Sequence, residues 1–272
     1  MDPVSADVYT HGHHSSVVRS HARRTAASSA AYLLPLLEPG QRLLDVGCGP
    51  GSITVDLARA VSPGEVVAVD AAPAAVELAR EAALEADVPN LTVQVADVHA
   101  LPFPAASFDV VHAHQVLQHL TDPVAALREM RRVTRPGGVL ALRDADYAAT
   151  TWFPASAGLD EWLALYHEVT EANRTEADAG RRLLHWALEA GFRPEQLTPG
   201  ASAWCFATPE DRAWWAGTWA ERVTSSGFAE RALAAGLADD VALEALAEAW
   251  REWGEAPDGW FAILHGELIA RP

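Results

Sequence analysis

A run of glycines behind a short apolar stretch has the clearest chemistry in the sequence. Residues 45–51 read Asp-Val-Gly-Cys-Gly-Pro-Gly and follow Leu43 and Leu44. Glycine tolerates positive φ and, having no Cβ, lets a ligand approach the backbone closely. The helical pattern that begins at Ser52 adds donors at the same place, because the first turn of a helix leaves its N–H groups unpaired. This arrangement predicts a turn that cradles a nucleotide-like ligand.

Two further acids follow strand-like runs. Asp70 comes directly after residues 66–69, and Asp97 after residues 91–96. An acid at the end of the second strand of such a unit can accept hydrogen bonds from both ribose hydroxyls of a nucleoside. The dinucleotide fingerprint Gly-x-Gly-x-x-Gly is not matched, because the third glycine comes one residue early and Ser52 follows it. A nicotinamide-dependent dehydrogenase is therefore disfavoured.

Strands and helices must alternate to bring these residues together. Further strand-like runs lie at residues 108–112 and 139–142, and helical patterns lie at residues 73–86 and 123–133. This rhythm predicts an α/β fold with a doubly wound, mostly parallel sheet and ligands at the carboxyl ends of its strands. Residues 202–207 and 260–270 read as two more strands, which makes a seven-stranded, Rossmann-like sheet. Helical patterns fill the residues between those last two strands.

These features together resemble the class I S-adenosylmethionine (SAM) dependent methyltransferases. The segment at residues 111–120, VHAHQVLQHL, resembles in particular the small-molecule enzymes of the ubiquinone/menaquinone-biosynthesis C-methyltransferase kind. The resemblance is strong over residues 43–147. It implies SAM as cofactor and S-adenosyl-L-homocysteine (SAH) as product. It also implies methyl transfer by in-line displacement to an O, N or C atom of a small molecule, such as a quinone, a phenol or another secondary metabolite.

The resemblance also assigns the cofactor-binding positions. Those in the glycine turn match the methionine part of SAM, and the acids after the second and third strands match the contacts to ribose and adenine. A residue at the end of the fourth strand matches the backbone that meets the methionine amine. The whole set is Asp45, Gly47, Cys48, Gly49, Gly51, Asp70, Ala71, Asp97, Val98 and His114.

Proton transfer is the second chemistry for which the sequence offers candidates. The catalytic candidates are His14 and His119, whose imidazoles titrate near neutrality, and Asp146. Asp144 and Asp146 are expected to end the fifth strand and share one face. Two alternatives stay open: His119 packs structurally, or Arg143 pairs with the two acids in a structural ion pair.

The chain is expected to form one elaborated domain. Residues 1–40 are predicted to form a helical segment that closes on the cofactor, with a helix from Ser15 to Leu37 that is either continuous or interrupted by a break. Residues 41–207 would form the SAM-binding core with a helical insertion at 151–175, residues 208–259 a helical cover, and residues 260–272 the last strand. All ten Trp lie beyond Thr150. They either line an aromatic substrate pocket or form the core of the cover.

The amino-acid composition limits the classes of partner and of chemistry that we expect for the protein. The formal net charge of −17 argues against nucleic acid as a partner, since a phosphate-binding surface needs a basic face. The sequence has no Lys, which excludes Schiff-base chemistry. With no signal-like segment or long apolar run, we expect a cytoplasmic protein with no membrane span, a small-molecule substrate and no metal; a homodimer is left open. The alternatives are a protein or nucleic-acid methyltransferase and a non-catalytic SAM-binding protein.

Overall fold

The computed structural model describes residues 23–272, whose strands form one seven-stranded sheet. The strands are β1 (Leu43–Val46), β2 (Val66–Asp70), β3 (Leu91–Val95), β4 (Phe108–His114), β5 (Thr134–Phe153), β6 (Leu197–Phe206) and β7 (Trp260–Ala270). Their order is β3-β2-β1-β4-β5-β7-β6, with β1 to β5 parallel and β7 antiparallel to both neighbours. The predicted doubly wound, mostly parallel sheet is confirmed.

Helices flank and extend the sheet. They are α1 (Ala26–Ser29), α2 (Ser52–Val61), α3 (Pro73–Glu85), α4 (Pro123–Val133), α5 (Ala157–Ala172), α6 (Ala179–Glu189), α7 (Pro209–Ser225), α8 (Gly227–Ala234) and α9 (Asp240–Glu255). Polar residues mark several starts: Asp122, Ser156 and Thr208 each accept a backbone N–H of the helix that follows. No helix within residues 23–272 combines the length and apolar character needed to cross a bilayer.

The two faces of the sheet bury different sets of helices. Helices α1, α2 and α3 cover one face, and α4 and α6 cover the other. Successive side chains of a strand point to opposite faces, so Leu44 and Val46 face α4 and α6. Leu43 and Asp45 therefore face α1, α2 and α3. On β4, His112, His114 and Val110 lie on the face that α1, α2 and α3 cover.

A second core lies over the C-terminal parts of β5 and β6 and the N-terminal part of β7, which lie side by side. Helices α5, α7, α8 and α9 pack there on one another, and we call this group the helical cover. Trp162, Trp219 and Trp250 are fully buried in it, with the ring centroid of Trp162 4.6 Å from that of Trp219 and 4.8 Å from that of Trp250. The packing interpretation therefore accounts for these three tryptophans.

The prediction that Asp144 and Asp146 end the fifth strand is wrong. Beyond the end of β4, strand β5 continues because it pairs with β7: Asp144 lies opposite Gly266, and Asp146 lies opposite Leu264. The strand runs to Phe153, so the helix that follows begins at Ala157 rather than near residue 151. Both acids consequently lie inside a long strand.

The long N-terminal helix is not found in the described part of its range. Ser15 lies outside the described residues, and residues 23–40 contain only α1 and a 3₁₀ turn at Leu34–Leu36. Pro35 stands in that turn, and proline cannot continue an α-helix because it lacks the N–H that the helix needs.

Candidate functional site

The glycine turn joins the end of β1 to the start of α2. Gly47, Gly49 and Gly51 have φ values of 69°, 53° and 82°, in the region that favours glycine. A Cβ on Gly47 would overlap Cγ2 of Val116, and one on Gly51 would lie 3.0 Å from Cα of Ala79. The bare backbone is therefore required by sterics as well as by the dihedral angles.

Asp45 supports this turn from beneath. Its Oδ2 accepts a hydrogen bond from Oγ1 of Thr54 at 2.5 Å, and its Oδ1 accepts from Nδ1 of His112 at 2.7 Å. The side chain of Asp45 is only 4% exposed. One carboxylate thus joins β1, α2 and β4. Neither partner was predicted; the available signal was that His112 stands two residues before His114 and so shares its face.

Asp70 ends β2 beside the turn. Its Oδ2 accepts from the Gly49 N–H at 3.0 Å, and its Oδ1 accepts from the Ala72 N–H at 2.9 Å. An ionised carboxylate offers about four acceptor sites, so both oxygens can still bind ribose hydroxyls. Ala71 beside it is exposed.

Asp97 and Val98 lie just past the end of β3. Asp97 is exposed and accepts from the His99 N–H at 2.8 Å, while Val98 is buried. Neighbouring strands are about 4.8 Å apart, so the acids follow a line across β3, β2 and β1. A bare turn at one end of this line and an exposed acid at the other fit an elongated nucleoside such as SAM.

Cys48 lies inside the turn but is not a nucleophile. Burial raises the pKa of its thiol, and the nearby Asp45 and Asp70 raise it further. Since the thiolate is the reactive form, this cysteine stays inert at neutral pH. Its contribution to the site is that of a small buried residue in a tight turn.

The segment after β4 forms a wall beside the turn. Val116 fills the space in front of Gly47, and Gln115 before it has a positive φ of 55°. Strand β5 holds this segment: Oδ1 of Asp144 accepts from the Gln118 N–H at 3.1 Å, and Oε1 of Gln118 accepts from the Ala145 N–H at 3.1 Å. Burial raises the pKa of Asp144 to about 8, so its carboxyl group is largely protonated at neutral pH.

The two catalytic candidates within residues 23–272, His119 and Asp146, are engaged by different partners. Nε2 of His119 lies 3.0 Å from Nε2 of Gln118, and burial lowers the pKa of His119 to about 3, which makes it a weak base. Asp146 is bound by Arg181, with Nε to Oδ2 at 2.6 Å and Nη2 to Oδ1 at 2.5 Å. The ion pair foreseen for Asp146 therefore exists, but with Arg181 and not Arg143. His14 lies outside the described residues.

His114, which the resemblance assigns to the methionine amine, is the last residue of β4. Its Cα is a register partner of Arg143 on β5, and its side chain is 7% exposed. Burial, followed by the positive charge of Arg143, holds the pKa of His114 well below its usual range. The ring is therefore neutral at neutral pH.

Known proteins are similar to this chain in sequence. A family model described as a methyltransferase domain matches residues 37–191. The chain is 35% identical over 273 residues to a Schizosaccharomyces pombe protein described as an uncharacterized methyltransferase, over 98% of this chain and 97% of that one. It is 37% identical to the 27-O-demethylrifamycin SV methyltransferase of Amycolatopsis mediterranei, over 61% of this chain and 58% of that one.

Among solved structures, phospholethanolamine N-methyltransferase 2 of Haemonchus contortus, in complex with SAH, has the same fold. It matches 87% of this chain and 50% of its own with a TM-score of 0.53 and 19% sequence identity. The family model spans more than half of the chain, and it includes the glycine turn, the three acids and the wall after β4. The chain therefore belongs to the methyltransferase-domain family, and SAM is its cofactor.

Proposed function

We propose that the protein methylates an O, N or C atom of an aromatic small molecule, such as a quinone, a phenol or a related secondary metabolite. SAM, when bound, supplies an electrophilic methyl group on a sulfonium. The glycine turn, Asp70 and Asp97 would hold it, and residues 208–259 with α5 would cover the acceptor. The observation that carries the proposal is the aromatic second core over the carboxyl end of the sheet.

That core extends from the sheet into the helical cover. The ring of Tyr147, on β5, stacks on Tyr166 of α5 with centroids 3.9 Å apart, and the edge of Trp219 of α7 meets Tyr147 at 6.4 Å. We infer that a planar acceptor binds against the partly buried rings packed on this core, Trp152, Trp204 and Trp214, because offset stacking and edge contacts add to apolar burial. An apolar enclosure also suits transfer from a sulfonium to a neutral acceptor, since positive charge spreads out as the reaction proceeds.

Positioning carries most of the proposed catalysis. Holding the acceptor atom against the methyl group supplies much of the acceleration, and a base helps only an acceptor that arrives protonated. Asp146 is engaged by Arg181, and His119 is a weak base. Oxygen is the acceptor atom that we favour, because the name of the rifamycin relative specifies methylation at an oxygen.

Label transfer from SAM with a deuterated methyl group tests the proposal. The purified protein is incubated with this SAM and host extract, and small molecules and macromolecules are analysed separately by mass spectrometry. We expect the mass shift in one small compound. The shift should disappear with Asp70→Asn, which weakens ribose binding, and persist with Asp240→Asn, an exposed acid on α9.

Two results contradict the proposal. Label found only in macromolecules indicates a protein or nucleic-acid methyltransferase, which the net charge of −17 disfavours on the nucleic-acid side. Absence of label from every fraction, with SAH still bound tightly, indicates a SAM-binding protein that does not transfer the methyl group.

A further inference from the structure

A group of side chains whose polar atoms are buried lies next to the glycine turn, on the face of the sheet that α1 covers. We call it the recess and define it by Tyr32, His114 and Arg143. His114 and Arg143 are register partners on β4 and β5. Ala113, just before His114, pairs with Val46, the last residue of β1 before the turn. The recess therefore begins one strand away from the turn.

Several polar atoms of the recess have no hydrogen-bond partner within residues 23–272. They are both ring nitrogens of His114, both Nη atoms of Arg143 and the hydroxyl of Tyr32. His114 is 7% exposed and Arg143 is 1% exposed. A buried polar atom without a partner costs about 1–3 kcal/mol, and native proteins rarely keep several of them together. The arrangement therefore indicates a binding site rather than a packing detail.

Trp204 of β6 fixes the side chains of the recess close together. Its ring centroid lies 4.9 Å from Cζ of Arg143 and 5.7 Å from the ring of His114. Nε1 of Trp204 donates to the Ser28 carbonyl at 2.9 Å, and this hydrogen bond joins β6 to α1. Burial raises the pKa of Tyr32, and the positive charge of Arg143 opposes that rise.

The hydrogen bonds of Arg143 determine which edge of its guanidinium is available. Its Nε donates to Oγ of Ser202 at 3.2 Å and to Oε1 of Glu267 at 3.3 Å. The opposite edge, with Nη1 and Nη2, presents two parallel donors, which is the geometry that a carboxylate matches. Burial lowers the pKa of Arg143 only to about 10, so it remains a cation at neutral pH. Glu267 neutralises part of this charge, and Arg24, whose Cζ lies 5.0 Å from the Trp204 ring centroid, adds a second cation nearby.

We infer that the recess binds a carboxylate on the Nη edge of Arg143, with the Tyr32 hydroxyl and a His114 ring nitrogen as further hydrogen-bonding groups. This inference rests on the proposed function, because two carboxylates could reach the site during that reaction. One is the α-carboxylate of the cofactor, whose methionine end lies at the glycine turn. The other is a carboxylate carried by the methyl acceptor.

Three variants isolate the recess. Arg143→Lys keeps the charge but loses the two-donor edge. Tyr32→Phe removes a hydroxyl that has no partner among the described residues, so we expect the melting temperature to stay unchanged. Arg212→Lys is the matched control: Arg212 is 7% exposed and lies in the helical cover, where its Nη1 donates to the Ala207 carbonyl. Thermal unfolding identifies any variant that fails to fold.

Calorimetry with two ligand pairs identifies the source of the carboxylate. The first pair is SAH and its carboxylate-free analogue S-adenosyl-3-thiopropylamine; the second is benzoate and benzamide, titrated with and without saturating SAH. If the cofactor supplies the carboxylate, SAH binds the wild type at least about ten-fold more tightly than its analogue, and SAH excludes benzoate. If the acceptor supplies it, SAH and its analogue bind alike, and the SAH complex prefers benzoate over benzamide by a similar factor.

In either case Arg143→Lys should remove the preference, Tyr32→Phe should reduce it several-fold, and Arg212→Lys should leave it intact. The inference is overturned if the wild type shows no preference in either pair, or if Arg143→Lys retains the preference of the wild type. Failure of SAH to bind the wild type would contradict the cofactor assignment as well. If the wild type binds SAH but shows no carboxylate preference, only the inference about the recess is overturned, and the cofactor assignment stands.

Discussion

Replacing Gly47 with alanine tests whether glycine is required in the turn because a Cβ at this position would collide with Val116. Alanine at a φ of 69° costs about 1–2 kcal/mol. The added Cβ would overlap Cγ2 of Val116, and overpacking of this kind costs about 1–3 kcal/mol. We therefore expect Gly47→Ala to lower the free energy of unfolding by about 2–5 kcal/mol. SAH affinity should also fall, because relieving the overlap displaces the wall after β4.

Two further variants separate the contributions. Gly137 has a φ of 76°, and a Cβ added there would have no atom within 4 Å, so Gly137→Ala should show the dihedral cost alone. Val116→Ala removes the overlapping methyl group, so the double variant with Gly47→Ala should be about 1–3 kcal/mol more stable than the sum of the single changes. Urea unfolding and SAH calorimetry provide the measurements. The steric reasoning is refuted if Gly47→Ala costs no more than Gly137→Ala, or if the two changes in the double variant are additive.

Three further predictions concern ionisable side chains and their partners. The folded-state pKa of Asp144 is raised from 3.8 to about 8, so its contribution to stability is full below pH 3.8 and is lost as pH rises through about 8. Asp144→Asn should therefore melt at a higher temperature than the wild type at pH 9 but not at pH 4, and a difference independent of pH would contradict this. The pKa of His167 is raised by its hydrogen bond to Asp178, so that stabilisation is present below the unfolded-state pKa of 6.5 and is lost as pH rises through the folded-state pKa. His167→Gln should thus lower the melting temperature at pH 5 more than at pH 9, and equal losses would be the contrary result. Arg181→Gln leaves the 1% exposed carboxylate of Asp146 unpaired, whereas Asp146→Asn leaves Arg181, 53% exposed, in contact with water. Urea unfolding should show the larger loss for Arg181→Gln, by roughly 1–3 kcal/mol, and the reverse order would count against a structural role.

The strands of the cofactor half could be predicted because their signals are local. Strands buried on both faces read as short apolar runs, and the glycine turn is contiguous in sequence. The length of β5 could not be predicted, since its second half is stabilised by pairing with β7, more than a hundred residues further along the chain. No local pattern in residues 143–153 indicates that partner.

The residues of the candidate site also divide into those that local sequence predicts and those that depend on distant contacts. Cofactor positions were assigned from a motif whose geometry is set by adjacent residues, and they remain predictions until binding is measured. The catalytic candidates depended on distant contacts: Arg181, 35 residues after Asp146, determines what that carboxylate does. The behaviour of His119 likewise depends on how deeply the surrounding elements bury it. Residue type and spacing carry no record of such burial.

The three central tryptophans of the helical cover give the protein an optical property. Trp162, Trp219 and Trp250 lie with ring centroids 4.6, 4.8 and 5.8 Å apart, in two edge-to-face pairs and one stacked pair. Indole transitions at such separations couple as excitons and give a paired circular dichroism band whose sign follows the angles between the rings. Trp152 of β5 lies 6.5 Å from Trp162, so the band reports on α5, α7, α9 and the end of β5 on which they pack. Closure or loosening of the helical cover can therefore be followed in solution without a label, independently of binding at the glycine turn.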